Sequence, residues 1–329
     1  MKKPHLESTY KLFINGEWKE ASDKATYKSY CPANGEVLAE CAQATREDVE
    51  DAITAAWVAF ETWKNVPVNE RAEILNKVAD IIDENREHLA MVETLDNGKP
   101  IRETLNVDIP MAAQHFRYFA GCIMASEGSS NILGKDTLSL ILREPIGVVG
   151  QIVPWNFPFL MAAWKLAPVL ASGCCTVFKP SSSTSLSVLE LARLVQGVIP
   201  RGVFNVITGS GSKSGQYMLE SKRFRKLAFT GSTEVGRNVA LVAAERIIPA
   251  TLELGGKSAN IFFEDCDWEM AMDGLQMGIL FNQGQVCCAG SRVFVQDSIY
   301  DRFVGEAVKR FNAVKVGLPW ESDTQMGCQ

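Results

Sequence analysis

Histidine is scarce in this sequence of 329 residues, which contains only His5, His88 and His115. Because no histidine follows residue 115, a cysteine–histidine catalytic pair has no local signature in the second half of the chain. The nine cysteines form no CxxC pair, so a zinc site would need scattered single residues, and we expect no metal site. Their odd number and irregular spacing indicate reduced thiols.

Long hydrophobic runs are also missing. No apolar stretch approaches the roughly 18 residues of a membrane span, and the start MKKPHLESTYKLF lacks the apolar segment of a secretion signal. We therefore expect a cytoplasmic protein with no membrane partner. The net charge of -6 gives no bias toward nucleic acid, so no such partner is expected. The length favours two domains of unequal size, with one large α/β domain as the alternative.

The first 140 residues contain a hairpin signal, helical periodicity and one irregular segment. β-forming residues flank Asn15-Gly16, which predicts a hairpin over 11–21. The segment 124–139 loses both periodicities and gathers serine and glycine, which predicts a linker or an arm reaching a neighbour. Helices are expected over 45–64 and 69–87, with Thr45 and Asn69 as N-caps, and near 107–121.

Beyond residue 140, short β-rich runs alternate with helical stretches. This alternation predicts an α/β fold with a doubly wound, mostly parallel sheet that is covered on both faces. Ligands of such folds bind beyond the carboxyl ends of the strands. The expected strands cover 147–153, 175–179, 203–208, 226–230 and 259–263.

Two glycine-containing turns follow expected strands and are candidate phosphate sites. The glycine spacing of the first differs from the dinucleotide fingerprint, so tight-turn formation explains it equally well. In the second, GSTEVG, a serine or threonine is expected to cap a helix whose free N–H groups hold a phosphate. Two such loops on neighbouring βα units favour a dinucleotide. The residues are Gly209, Gly211 and Gly215 in the first turn, and Gly231, Ser232 and Thr233 in the second.

Polar residues near other strand ends each have a structural and a functional interpretation. Asn156, within PWNFP, is either a residue that only stabilises a turn or a neutral hydrogen-bond donor suited to a developing oxyanion. Lys179 either hydrogen-bonds ribose hydroxyls or is a solvated terminal charge. Glu253, inside the apolar run of LELGGKSA, is either a core acid or a general base whose pKa burial raises toward neutrality.

The stretch FNQGQVCCAGSR, residues 281–292, places Cys287 and Cys288 side by side. Buried thiols are mostly inert, but the flanking glycines fit an exposed loop. Because histidine is missing from this half of the chain, the base for the thiol or for water is expected to be a carboxylate. Glu253 is the best candidate.

Taken together and in this order, PWNFP, FKP, FTGSTEVGR, LELGGK and FNQGQVCCAGSR resemble the NAD(P)-dependent aldehyde dehydrogenase superfamily. The resemblance extends from the hairpin at residue 11 to the end of the chain. It implies Cys287 as the nucleophile, with Cys288 as its variable neighbour, Glu253 as the general base and Asn156 as the oxyanion donor. The implied reaction forms a thiohemiacetal on the cysteine, transfers a hydride to the nicotinamide, and hydrolyses the resulting thioester to a carboxylic acid.

The resemblance also implies binding residues for NAD and for an aldehyde substrate. Lys179 would contact the adenosine ribose, and Phe157 and Trp164 would face the substrate tunnel. NAD-preferring members commonly carry a glutamate three residues after this lysine. Ser182 stands here instead, so we expect NADP to be accepted alongside NAD. The remaining cofactor candidates are Ile152, Pro154, Trp155, Gly209, Gly211, Gly215, Phe229, Gly231, Ser232 and Leu254.

The implied architecture is a Rossmann-like cofactor domain, from 1–123 and 140–254, and a second α/β catalytic domain that begins at 255–329. The segment 124–139 would be a linker or the oligomerisation arm of a homodimer or homotetramer. Family members continue beyond this sequence, so we expect a C-terminally truncated chain whose incomplete catalytic domain leaves apolar sheet surface exposed. Two alternatives stay open: a catalytically silent form that binds a dinucleotide or a partner subunit, and a CoA-acylating relative, which Glu253 disfavours.

Overall fold

The computed structural model describes residues 4–329, in which strands and helices alternate along most of the chain. The strands are β1 (Thr9–Tyr10), β2 (Leu12–Ile14), β3 (Glu17–Lys19), β4 (Thr26–Tyr30), β5 (Val37–Ala42), β6 (Ser129–Gly134), β7 (Thr137–Ile141), β8 (Val148–Ile152), β9 (Cys175–Lys179), β10 (Phe204–Val206), β11 (Lys226–Gly231), β12 (Ala250–Leu254), β13 (Ala259–Phe262) and β14 (Arg292–Val295). The helices are α1 (Arg46–Trp63), α2 (Val68–Glu84), α3 (Arg86–Asn97), α4 (Ile101–Glu103), α5 (Ile109–Met124), α6 (Pro158–Ala171), α7 (Leu186–Leu194), α8 (Gln216–Glu220), α9 (Thr233–Arg246), α10 (Trp268–Leu280) and α11 (Tyr300–Asn312).

A seven-stranded sheet forms the centre, in the order β12-β11-β8-β9-β10-β2-β3. Its first five strands are parallel, and helices α1, α6 and α9 pack against it, which confirms the predicted α/β class. Every residue of β9 is buried. Because successive side chains of a strand point to opposite faces, a fully buried strand shows that both faces of the sheet are covered there.

The antiparallel strands β2 and β3 close one edge of this sheet and confirm the predicted hairpin. Asn15 and Gly16 join them with φ angles of 54° and 72°. Two consecutive positive φ angles match the twist of a tight hairpin, and asparagine and glycine adopt them at low cost.

The first two predicted helices are present, but one cap is wrong. Thr45 caps α1 in a reciprocal pair with Asp48, as predicted. Asn69 does not cap α2, which begins at Val68 directly after Pro67. Proline lacks an N–H and has a fixed φ angle, so it precedes a helix without leaving an unpaired donor, and Asn69 lies inside the first turn.

The segment 124–139 contributes to a β-hairpin, β6 and β7, that extends to Ile141. All but one of the residues in these two strands are exposed, including large apolar side chains on both strands. The sequence does not predict this strand pair. The hairpin has no buried face that would impose an alternating apolar pattern, and its serine and glycine residues resemble a loop.

Residues 259–312 form a smaller unit in which the parallel pair β13–β14 packs with α10 and α11. Met272, Leu275 and Phe303 are the buried core of this unit, and Phe262 and Trp268 pack around Phe303. The side chains of the sheet are largely exposed. The exposed fractions of Ile261 (60%), Val293 (44%) and Phe294 (51%), and of Phe263 (60%) directly after β13, confirm the prediction of uncovered apolar sheet surface.

Candidate active site

The carboxyl end of the parallel sheet aligns three of the predicted cofactor residues. Ile152 of β8 pairs in register with Lys179 of β9 on one side and with Phe229 of β11 on the other. Two residues further along β11, Gly231 pairs with Leu254 of β12. Parallel pairing therefore brings the loops that follow four strands to one edge, where ligands of doubly wound folds bind.

Lys179 is buried at this edge, so the interpretation as a solvated terminal charge is wrong. Its side chain is 2% exposed, and Nζ donates to the Pro180 carbonyl oxygen at 3.0 Å. Burial lowers the pKa of this ammonium group to about 8. A buried amine held by a single carbonyl keeps unused donors for an incoming hydroxyl or phosphate group.

The first glycine turn packs directly on Lys179. A Cβ atom at Gly215 would lie 3.6 Å from Lys179 Cε, and a Cβ atom at Gly209 would clash with Ser214 Oγ. Gly209 also has a φ angle of 131°, which other residues rarely adopt. Gly211–Gly215 forms one wide π-helical turn ahead of α8. Glycine at 209 is therefore required for the path of the loop.

The second glycine turn caps α9 as predicted, through Ser232 and not Thr233. Ser232 Oγ accepts the Val235 N–H at 3.3 Å. A Cβ atom at Gly231 would lie 2.6 Å from the ring of Phe229, so this glycine lets the chain pass close to the strand end. Gly236 of α9 packs similarly closely on Leu254. The helix start thus lies beside the end of β11, and residues 232–235 are exposed.

A cavity of about 600 Å³ lies beside the loops that follow β8, β9 and β10. Pro154 and Trp155 belong to the first of these loops, and Trp155 is 43% exposed. The second loop lines the cavity with hydroxyl side chains, including that of Ser182. The lining residues from these loops and from the cysteine loop, residues 281–292, are Trp155, Ser182, Ser183, Thr184, Ser210 and Gln285.

Asn156 contacts the cysteine loop directly. Its Nδ2 donates to the Gln285 carbonyl oxygen at 2.6 Å, two residues before Cys287. In return, Asn282 Nδ2 donates to the Asn156 carbonyl oxygen at 2.9 Å. The structure therefore brings together two segments that are 129 residues apart and that were predicted as oxyanion donor and nucleophile loop.

Cys287 and Cys288 are both exposed at the end of this loop, and all nine cysteines are free, as predicted. Partial burial and the neighbouring Cys288 thiol raise the pKa of Cys287. The backbone of Gly256 packs closely against the cysteine loop. A Cβ atom at residue 256 would lie 2.7 Å from the Cys287 carbonyl oxygen. The segment directly after β12, the strand that carries Glu253, therefore touches the predicted nucleophile.

Glu253 is exposed, so the expectation of a buried acid is wrong. Strand β12 lies at the edge of the sheet, with Leu252 and Leu254 half-buried and Glu253 on the opposite, open face. The apparent apolar run is an alternating edge strand. Glu253 lines a cavity of about 370 Å³ together with Trp164 and Lys165.

Lys165 is a residue of this cavity that the sequence interpretation missed. Its side chain is buried, and desolvation lowers the pKa of its ammonium group to about 8, against the opposing charge of Glu253. A lysine within the apolar helix PFLMAAWKLAPVLA was the available signal, because lysine is rarely buried unless it has a partner.

The two predicted substrate residues lie in different surroundings. Trp164 is 44% exposed and its ring lies 5.3 Å from that of His115. Phe157 is buried, 5.9 Å from the ring of Phe281 and with Lys99 Nζ 4.0 Å from its own ring centre. The structure does not place them on one shared wall.

Residues 4–329 contain no group of three histidine, cysteine or acidic side chains arranged to hold a metal ion. Within the same residues, no helix combines the length and apolar character needed to cross a membrane.

Comparison with known proteins identifies the family. A sequence profile of the aldehyde dehydrogenase family matches residues 18–329. Aldehyde dehydrogenase B of Escherichia coli is 48% identical over 98% of this chain, and the match covers 64% of that protein. The NAD+ complex of an aldehyde dehydrogenase from Bacillus cereus superposes with a TM-score of 0.96 at 42% identity, covering 99% of this chain and 69% of that one. An NAD-dependent aldehyde dehydrogenase from Sinorhizobium meliloti gives 0.95 at 39% identity, covering 97% and 64%. This chain, which spans about two thirds of the length of these relatives, belongs to the aldehyde dehydrogenase family.

Proposed function

We propose that this chain oxidises an aldehyde to a carboxylic acid with NAD as the oxidant. The observation that carries the proposal is the hydrogen bond from the Asn156 amide to the cysteine loop at Gln285. A side-chain amide has two N–H donors, and the Gln285 carbonyl oxygen uses one of them. The other is free for an oxyanion that forms at the neighbouring thiol.

Cys287 acts as the nucleophile. Its thiolate attacks the aldehyde carbon, and the resulting oxyanion accepts hydrogen bonds from the free Asn156 N–H and the Cys287 backbone N–H. NAD, when bound, supplies the acceptor for the hydride that leaves this carbon. Cys287 then carries the acyl group as a thioester. Glu253 removes a proton from water, and the hydroxide attacks the thioester to release the acid and the thiolate.

The surroundings of Cys287 and Glu253 suit their roles as nucleophile and general base. Since its surroundings raise the pKa of Cys287, the thiol needs a base, and Glu253 lies on the strand whose continuation touches it. An exposed carboxylate can also exchange its proton with solvent between turnovers. Lys165 lines the same cavity as Glu253, and the Glu253 carboxylate opposes the lowering of the Lys165 pKa by burial.

The sheet edge fits a dinucleotide. Lys179 would hold ribose hydroxyls with its unused donors, the N–H groups at the start of α9 would bind a phosphate, and Trp155 would cover the groove. The aldehyde dehydrogenase from Bacillus cereus was solved with NAD+. Ser182 offers no carboxylate that repels a 2′-phosphate, so we propose that NADP is also accepted.

The test is an absorbance assay for aldehyde-dependent NADH formation by the 329-residue chain. We expect Cys287→Ser to abolish NADH formation and to keep NAD binding, because only the nucleophile is lost. Cys288→Ser is the matched control and should keep most activity. A dead Cys288 variant beside a working Cys287 variant would refute the assignment.

A second candidate is a form that binds a dinucleotide or a partner subunit without turnover. The exposure of both Cys287 and Glu253 favours it, since a thioester intermediate needs a site that controls the access of water. NAD binding without aldehyde-dependent NADH formation in the same preparation would support this second candidate over the first.

We further propose that residues 1–123 and 140–254 bind the cofactor and that 255–329 begin the catalytic domain. The exposed hairpin β6–β7 is the proposed subunit contact of a homodimer or homotetramer, because its apolar side chains are uncovered. Light scattering of the chain with and without charged substitutions at Ile132 and Leu140 tests this contact. We expect the substitutions to yield a monomer. A cytoplasmic location stays a prediction.

A further inference from the structure

Glu103, the last residue of α4, contacts the turn that precedes the two cysteines. Its Oε2 accepts the backbone N–H of Asn282 at 3.0 Å. Glu103 is 6% exposed and Asn282 is fully buried, so water does not compete for this hydrogen bond. The contact joins residues 179 positions apart in the sequence.

The turn held in this way has an unusual backbone. Asn282, Gln283 and Gly284 adopt successive φ angles of 49°, 56° and 72°. Left-handed conformations cost energy for asparagine and glutamine, and they persist only where the surroundings fix them. The Glu103 carboxylate is one such constraint, since it binds the first N–H of the turn.

The 282–284 turn also holds Asn156, the predicted oxyanion donor. Asn282 Nδ2 donates to the carbonyl oxygens of Asn156, at 2.9 Å, and Gln285, at 3.1 Å. The Asn156 amide donates to the same Gln285 oxygen. A continuous set of hydrogen bonds therefore leads from Glu103 through Asn282 to Asn156.

The charge of Glu103 is not used in a direct ion pair with the nearby cation. Lys99 Nζ is bonded to Asp108 Oδ2 at 2.6 Å, and both side chains are fully buried. Burial raises the pKa of Glu103 to about 7, opposed by the Asn282 N–H and by Lys99. A buried acid is costly, and this one directs its acceptor at a backbone N–H beside the candidate active site.

We propose that Glu103 is a positioning residue for the reaction proposed above, holding the 282–284 turn so that the Asn156 amide points at the oxyanion formed on Cys287. The inference rests on the proposed function for its catalytic consequence. Its structural part, the constraint on Asn282, is measurable without any activity.

Two variants remove the acceptor and one keeps it. Glu103→Ala and Glu103→Leu lose the acceptor for the Asn282 N–H, and the leucine preserves volume if the alanine variant does not fold. Glu103→Gln keeps an oxygen acceptor without the charge. Glu190→Gln is the matched control, because it alters a buried acid bonded to Tyr10, His88 and Arg193, outside the turn.

Hydrogen exchange at Asn282 and steady-state kinetics are the readouts. With the acceptor removed, we expect amide exchange at Asn282 to rise about tenfold or more, and kcat to fall roughly 10- to 100-fold, as for a displaced catalytic group. The dissociation constant for NAD should stay the same, and Glu103→Gln should restore both exchange and kcat toward the wild-type values. Glu190→Gln should change neither.

Two results would overturn the inference: unchanged exchange at Asn282 in both acceptor-free variants, or unchanged kcat despite increased exchange. If the wild-type chain forms no NADH from any aldehyde, the proposed function fails on its own. The exchange data then still decide whether Glu103 holds the turn.

Discussion

The region around the seven-stranded sheet and the smaller unit 259–312 are stabilised very differently. In the first, strand β9 is buried throughout, and the predicted cofactor residues lie in the last three residues of β8, β9, β11 and β12 or in the segments that follow β8, β9, β10 and β11. In the second, three buried side chains form the core and the sheet is largely exposed. The cysteine loop joins the two regions and is held by contacts to Asn156 and Glu103 of the first. The predicted cofactor edge thus has a scaffold of its own, whereas the loop of the proposed nucleophile depends on hydrogen bonds to the first region.

The largest loss of unfolding free energy is expected when the buried ion pair of the first region is broken. Lys99→Met leaves Asp108 buried without its cation, and the Oδ1 of that aspartate already has no hydrogen-bond partner. Breaking a buried pair costs about 3–5 kcal/mol of unfolding free energy. Urea unfolding measures it, with Lys315→Ala in an exposed pair as the control that should change nothing. Equal midpoints for the two variants would contradict the account.

Core truncations sharpen the comparison between the regions. Phe178→Ala, in the large core, should lower the free energy of unfolding by about 3–5 kcal/mol and destabilise the whole chain. Phe303→Ala removes a central side chain of the small core and should instead increase hydrogen exchange only within 259–312. Increased exchange across the large sheet in the Phe303 variant would show that the two regions unfold together.

The pH dependence of stability should arise mainly in the first region, which holds the buried acids. Burial raises the pKa of Glu93 to about 7, above its unfolded value near 4. Its contribution to stability is therefore present below about pH 4 and is lost as the pH rises through 7. Glu93→Gln should flatten this loss in urea unfolding between pH 5 and 8, and an unchanged slope would contradict the assignment.

Glu190 should show the opposite dependence. Burial alone would raise its pKa, but hydrogen bonds from His88, Arg193 and Tyr10 outweigh it and hold the pKa at about 2. Its stabilising contribution is present above about pH 4 and is lost as the pH falls toward 2. Glu190→Gln should therefore lose less stability than the wild type on acidification in this window, as followed by circular dichroism.

The smallest effect is expected on the choice between NADP and NAD at the predicted cofactor edge. Ser182→Glu introduces a carboxylate beside the predicted ribose site, so turnover with NADP should fall about tenfold relative to NAD, or roughly 1.4 kcal/mol. Steady-state comparison of the two cofactors measures it. Undetectable NADP turnover by the wild type, with good NAD turnover, would contradict the expectation that both are accepted.

Sequence predicted the large region well because its signals are local. Strand β9 has the predicted bounds, 175–179, and Asn15-Gly16 forms the predicted turn. Predictions failed where tertiary position decides. Glu253 is exposed because β12 is an edge strand, and its place at the edge is decided by how the strands pair in the folded sheet.

Some residues of the candidate site were also predicted from local motifs, whereas others were missed because their role depends on the fold. Motifs identified Asn156 and Cys287, and the structure brings their loops together. Glu103 and Lys165 were missed, because a buried acid and a buried lysine look like ordinary charged residues until the fold removes water from them. The left-handed backbone at Gln283 has no sequence signal either, since glutamine does not favour it.

Cys287 is proposed to carry the acyl group during turnover, so the acylated enzyme can be trapped and its site of modification determined. The chain is mixed with an aldehyde and NAD, quenched in acid, and digested for tandem mass spectrometry. We expect an added mass of the aldehyde minus two hydrogens on Cys287, with unmodified Cys288 in the same peptide. An acyl group on Cys288, or NADH formation with neither cysteine acylated, would contradict it.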